Sequence, residues 1–262
     1  MARFCSLFSS SRGNCTYIGD PHAGILIDCG VSAKRIDETL SALGVDVGTI
    51  QAIFITHEHS DHICGLRVFA SRHHIPVYAS AGTVSAMENS DVLNGSFPVG
   101  VLSSQGTECA GMFIRPFPLS HDARQPVGYR IETADGRSIS VATDTGVVTQ
   151  SILSAVSGSD LILLESNHDI GMLQNGPYPY ATKRRILSDV GHLSNDACAE
   201  TAARLLESGT TRFCLAHLSR DNNMRPLAYQ CTQTELELSG AVEGTDYLLS
   251  VAGGSQPEMV LL

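Results

Sequence analysis

Apolar residues in this chain come in short runs, and five of those runs stop just before a residue that can hold a metal or a proton. Ala52–Ile55 leads to His57, Phe113–Leu119 to His121, Ser138–Ala142 to Asp144, Leu161–Leu164 to Glu165, and Phe213–Ala216 to His217. Runs of this length read as strands, and their polar ends then fall on one rim of a sheet, where open α/β folds place their ligands. Further strand-like stretches occur at Thr16–Ile18, Gly24–Asp28 and Val77–Ala79, with a second series beginning near Met112.

Between the strands the periodicity changes to that of helices. Ile36, Leu40 and Leu43 share one face of a helix over Ala33–Leu43, and Ile63, Leu66, Phe69 and Ala70 share one over Asp61–His74. Later helices are predicted over Thr149–Val156, Tyr180–Asp189, Asn195–Glu207 and Pro226–Leu238. Two β-rich halves, each with helices, predict two sheets packed face to face with helices outside. With no repeat, low-complexity tract or linker, residues 1–262 read as a single domain. Ser9–Asn14 reads as a turn that could offer backbone N–H groups to an anion, and Gly171–Pro179 as an irregular loop, a possible lid.

Composition narrows the class. A hydrophobic share of 43% in 262 residues supports a large core, and no run is long and uncharged enough to span a bilayer. The N-terminus lacks the features of a signal peptide, and eight scattered cysteines without C-x-x-C spacing suit reduced, mostly buried thiols, so a cytoplasmic protein is expected. A net charge of −10 argues against a broadly basic nucleic-acid grip, although two divalent ions in a pocket would reverse the local sign. Seven of the 17 Lys and Arg lie from Lys183 onward, so part of the chain could carry a local basic surface.

The densest chemistry is Thr56-His57-Glu58-His59-Ser60-Asp61-His62, with three histidines and one aspartate in six positions. In an extended loop, His57 and His59 point to the same side. Asp61 and His62 open the next helix, diverge, and can reach a second ion roughly 3.5–4 Å from the first. His121 and Asp144 fit as further ligands after their strands, Asp144 with two oxygens able to bridge, and His217 would complete the second ion. Nitrogen and oxygen donors admit Zn²⁺, Mn²⁺ or Fe.

The Thr-His-Glu-His-Ser-Asp-His run resembles the H-x-H-x-D-H signature of the metallo-β-lactamase fold superfamily, and the later ligands follow in that family's order. The likeness is closer to the YycJ/WalJ-type exonuclease group of that superfamily. It is carried by Ser9-Ser10-Ser11-Arg12-Gly13-Asn14, Glu165-Ser166-Asn167-His168-Asp169, Gly191-His192-Leu193-Ser194-Asn195 and Ala216-His217-Leu218-Ser219-Arg220-Asp221-Asn222-Asn223. The resemblance implies a four-layer αββα sandwich, two mixed β-sheets with helices on the outer faces. It also implies one ion on His57, His59 and His121, the other on Asp61, His62 and His217, and Asp144 between them. The activity it implies is phosphodiester hydrolysis, as a 5′-to-3′ DNA exonuclease linked to DNA repair.

On that reading, a hydroxide bridging the ions attacks phosphorus, and the leaving alkoxide needs a proton. His192, on a glycine-preceded loop before the helix that Ser194 or Asn195 would cap, is the expected acid, with Glu165 as its carboxylate partner. Similar Glu and His positions carry this role in nuclease branches of the superfamily. Around them, His168, Asn195, Ser219, Arg220 and Asn223 are candidates to meet substrate; His168 and Asp169 read equally as support for the ligands or as lining of the substrate groove, and Ser219, Arg220, Asn222 and Asn223 as hydrogen-bonding either phosphate or the ligand loop. Competing readings are an RNA-processing nuclease, a thioester or lactone hydrolase or β-lactamase on the same fold, and a non-enzymatic metal-binding module. Glu165 and His192 favour a poor alkoxide leaving group, and the short Asp144–His192 segment leaves no room for a large inserted cap domain.

Overall fold

The computed structural model describes residues 1–254 and 256–262. In chain order the elements are β1 (Arg3–Phe8), β2 (Cys15–Gly19), β3 (Gly24–Ile27), α1 (Ala33–Ala42), β4 (Ile50–Phe54), α2 (Ser60–Ile63), α3 (Leu66–His73), β5 (Val77–Ala79), α4 (Ala81–Asn89) and β6 (Val99–Val101). There follow β7 (Thr107–Cys109), β8 (Met112–Pro118), β9 (Val127–Glu132), β10 (Ser138–Ala142), α5 (Gln150–Val156), β11 (Leu161–Glu165), α6 (Ile170–Asn175) and α7 (Tyr180–Ile186). The chain closes with α8 (Asn195–Glu207), β12 (Arg212–Ala216), α9 (Arg225–Leu238), β13 (Leu248–Val251) and β14 (Val260–Leu261).

The strands form two mixed sheets of seven, ordered β14-β1-β2-β3-β4-β5-β6 and β13-β12-β11-β10-β9-β8-β7. In the first, β1 to β3 pair antiparallel, whereas β3, β4, β5 and β6 run parallel. In the second, β10 to β13 run parallel. Parallel strands covered on both faces should be apolar throughout. Accordingly β3, β10 and β11 are buried at every position.

The chain divides into two compact units, residues 1–116, 123–137 and 253–262 in one, residues 117–122 and 138–252 in the other. In the first, Leu26, Ile53 and Val77 from the strands pack with Ile36 and Leu40 of α1 and Leu66 and Phe69 of α3. In the second, Ile162, Leu164, Phe213 and Leu215 pack with Ile152 of α5, Ala202 and Leu205 of α8, and Ala228 and Leu236 of α9. No described helix is long and apolar enough to cross a membrane.

Two predicted elements come out differently. The helix expected over Asp61–His74 is broken into α2 and α3 at Cys64–Gly65. There the Gly65 N–H leaves the helix to donate to the Cys29 carbonyl at 2.8 Å, and a Cβ on Gly65 would stand 1.9 Å from the Val31 carbonyl oxygen. The loop expected over Gly171–Pro179 begins inside a helix, because the Asp169 side chain accepts from the Met172 N–H at 2.7 Å and caps α6. The strands β6 and β7 escaped the sequence reading because they are three residues long, bury none of them fully and carry no apolar run.

A second glycine fixes the entry to α2. Gly30 donates to the Asn14 carbonyl at 2.7 Å, and a Cβ there would stand 1.6 Å from the Asp61 carbonyl oxygen. Gly30→Ala and Gly65→Ala are each expected to cost about 2 kcal/mol or more, since backbone atoms must shift to admit the methyl. Urea unfolding of each variant beside wild type measures it, and midpoints unchanged from wild type would contradict the close approach.

Candidate metal centre

In the first unit the site grows from the end of β4. Ile55, Thr56 and His57 are buried, and the chain stays extended to His59 before turning into α2. The rings of His57 and His59 stand 4.6 Å apart and those of His57 and His62 4.1 Å apart, so the alternation seen in the sequence does gather these imidazoles. Asp61 lies beside them, its Oδ2 3.5 Å from His62 Nε2.

Two residues outside the motif, Asp28 and Asn14, hold it together with Thr56. Asp28 follows β3, is buried, and places Oδ2 2.7 Å from His62 Nδ1. Its Oδ1 accepts from the Thr56 N–H at 2.8 Å, and Thr56 Oγ1 lies 3.0 Å from His57 Nδ1. Asn14 Nδ2 reaches His62 Nε2 at 3.1 Å and the Asp61 carbonyl at 3.3 Å. A carboxylate facing Nδ1 and an amide N–H facing Nε2 fix one tautomer, with the proton on Nδ1 and the lone pair on Nε2. The Ser9–Asn14 turn thus supports the histidine loop.

In the second unit, Asp144, Glu165, His192 and His217 each offer a donor atom, and these atoms lie within 4.8 Å of one another. The parallel order β10-β11-β12 explains the convergence, because Asp144, Glu165 and His217 leave the same ends of neighbouring strands. Glu165 Oε1 lies 2.8 Å from both His192 Nδ1 and His217 Nδ1. Its Oε2 accepts from the Thr145 and Leu193 N–H groups at 2.9 and 3.1 Å. Burial opposes its ionisation, but the His192 charge and the hydrogen bonds from His192 and His217 outweigh that and hold the carboxyl down to about 2. His121 donates from Nδ1 to the Gly191 carbonyl at 2.9 Å, which leaves its lone pair on Nε2. Burial lowers its pKa, against the pull of Asp144, and so favours the neutral, ligand-ready ring.

Three of these residues, Asp28, Asp144 and His217, carry φ of 63°, 62° and 56°. Left-handed backbone at non-glycine residues is a strained state that accumulates at functional sites. Asn167 supports His217 by donating to its carbonyl at 2.8 Å.

Of the residues expected at substrate, His168 is 1% exposed, and neither ring nitrogen has a hydrogen-bond partner. Asn195 and Asn223 are buried and bond one another and Ser166. Ser219 is buried and bonds Asn222, while Arg220 is exposed. Asp28, Asn14 and Asn167 were missed. Asp28 carries the same signal as the five recognised runs, a polar residue at the end of the apolar stretch Gly24–Ile27, whereas the two asparagines stand inside family-like motifs with nothing local to mark them as supports of the histidines.

Neutral imidazoles with oriented lone pairs, interleaved with buried carboxylates, fit divalent cations, and their outward N–H groups have the acceptors that metal-ligating histidines require. Such a donor set on this fold defines a metal-dependent hydrolase. The chain belongs to the β-lactamase superfamily, whose domain model matches residues 24–218. It is 38% identical over 241 residues to the exodeoxyribonuclease YycJ of Bacillus anthracis, covering 90% of each chain. To the exodeoxyribonuclease WalJ of Streptococcus pneumoniae serotype 2 it is 37% identical over 248 residues, covering 94% of this chain and 92% of the relative. Among solved structures, the Zn²⁺-bound PqqB of Methylobacterium extorquens superposes with a TM-score of 0.74 at 15% identity over 99% of this chain and 100% of the other. The fold is that of the metallo-β-lactamases.

Two expectations follow. Asp28→Asn should weaken metal binding about ten- to a hundred-fold, because an amide cannot serve the His62 and Thr56 donors as a carboxylate does. Zinc titration against a chromophoric chelator reads the change, and wild-type affinity would contradict the role given to Asp28. His168, lowered by burial to about 4, stays neutral in the fold while the unfolded ring protonates near 6.5. Stability should therefore fall as pH drops from about 6.5 to 4, by roughly 3 kcal/mol at most from this residue. His168→Gln should flatten that part of the pH profile in metal-free urea titrations.

Proposed function

We propose that this protein is a dinuclear metal-dependent phosphodiesterase, a 5′-to-3′ DNA exonuclease serving DNA repair in the cytoplasm, with the two units acting as one catalytic domain. The observation that carries the mechanism is the single Glu165 oxygen 2.8 Å from both His192 Nδ1 and His217 Nδ1, which ties an acid-base histidine to the ligand cluster. The substrate comes from the likeness to two exodeoxyribonucleases over nine-tenths of the chain. Eight free cysteines among the described residues suit a reducing compartment.

In this reading His57, His59 and His121 would hold one ion and Asp61, His62 and His217 the other, with Asp144 as a further carboxylate donor. Divalent ions held there, Zn²⁺, Mn²⁺ or Fe, would supply Lewis-acid charge and lower the pKa of bound water. His192, fixed at Nδ1 by Glu165, delivers a proton from Nε2 to the leaving oxygen. Glu165 stays ionised because two backbone N–H groups and two imidazoles satisfy its oxygens, so its charge stabilises the protonated ring. The exposed Arg220 meets backbone phosphate. His168, Asn195, Ser219 and Asn223 position the loops that carry it and His192.

The test is nucleotide release from 5′-labelled duplex DNA and from RNA with Mn²⁺ or Zn²⁺. Inactivity on both, together with turnover of a thioester, would reject the reading. His192→Ala should lower kcat at least about 100-fold with metal content unchanged. Glu165→Gln should lose both rate and metal, because the same oxygen orients His217. Equal metal loss in the two variants, read by elemental analysis, would contradict the division of roles.

A further inference from the structure

The helix α7 carries three consecutive cations with three different fates. Lys183 Nζ donates to the Gln174 and Gly176 carbonyls at 2.8 and 2.7 Å, pinning the preceding loop. Arg185 grips Asp122 with two hydrogen bonds. Arg184 meets no carboxylate among the described residues, and its guanidinium lies 5.9 Å from the centre of the Tyr180 ring. Tyr180 is 76% exposed, and Leu187, which follows the same helical face at i, i+4, i+7 spacing, is 44% exposed. Ile186, on the other side, is buried.

The C-terminal end of this helix is attached directly to the acid-base loop. The His192 N–H donates to the Ile186 carbonyl at 3.0 Å, and the Gly191 N–H to the Ser188 carbonyl at 2.8 Å. In a chain of net charge −10, an open aromatic ring with an unpaired guanidinium above it favours a polyanion that also carries flat rings. The arrangement has no fixed hydrogen-bond pattern for reading a base edge, whereas every base has a π-face for the ring and every linkage a phosphate for the guanidinium.

We propose that Tyr180 and Arg184 form a sequence-independent stacking platform for a single-stranded DNA end, holding the nucleotides next to the scissile phosphate as they pass His192. The inference rests on the nuclease reading above and names the contact by which that site would grip a strand.

The experiment uses the full-length protein with Mn²⁺ and a short 5′-phosphorylated single strand carrying 2-aminopurine at one of its first four positions. Tyr180→Ala and Arg184→Ala should raise KM roughly ten-fold with little change in kcat, and Tyr180→Ala should abolish the stacking quench of 2-aminopurine. Tyr180→Phe should keep both. On a strand made abasic at those positions, Tyr180→Ala should match wild type. Wild-type KM and quenching in Tyr180→Ala, with DNA turnover intact, would overturn the platform and leave the nuclease reading standing. A wild type that cleaves the labelled duplex but neither binds nor cleaves the strand would overturn the platform alone, and one inactive on the strand, the duplex and RNA while turning over a thioester would overturn both. A dimer in sedimentation that Tyr180→Ala dissociates would assign the face to self-association and overturn the platform alone.

Discussion

A neutral imidazole has one lone pair, and its direction is decided by the partner that takes the proton on the other nitrogen. In the first unit Asp28 faces Nδ1 of His62, and in the second the Gly191 carbonyl takes the proton of His121. Glu165 does the same for His192 and His217 together. Because these rings are buried or nearly so, a flipped ring would leave a polar atom without a partner, at about 1–3 kcal/mol each. Burial therefore sets the tautomers before any cation arrives. Metal affinity at such donors would depend on Asp28, Thr56 and the Gly191 carbonyl as well as on the donor atoms.

Such orientation has a conformational cost. Asp28, Asp144 and His217 hold left-handed backbone, each at a cost of order 1–2 kcal/mol that apolar packing must offset. The strands they leave are almost wholly buried, β3 and β10 at every position, so the chain cannot relax there without opening the core. Gly30 and Gly65 serve the same end by letting backbones approach where no side chain fits.

The α7 segment shows how context divides identical chemistry. Lys183 and Arg185 are occupied in holding the helix to its neighbours, which leaves Arg184 and Tyr180 outward on a rigid support. A mobile loop would lose more entropy on gripping a strand than a helix pinned on both sides of its cation.

Much of this was legible in the residues. Ser138–Ala142, Val77–Ala79 and Asn195–Glu207 were bounded to the residue, because their apolar periodicity and capping Ser194 are local signals. The chain also announced its donors by placing them after apolar runs, and the longer motifs its family. Asp28 was within reach of the same rule. The break at Gly65 was not, because it depends on a Cys29 carbonyl that is distant in sequence. Nor was the sharing of one Glu165 oxygen by two histidines, since His192 and His217 lie 27 and 52 positions away along the chain. Residue types and their spacing by themselves pointed to the candidate donors and to the strands that they follow. Tertiary structure alone decided which way each lone pair points and which arginine is left open, because both are fixed by partners that only the folded chain brings within hydrogen-bond reach.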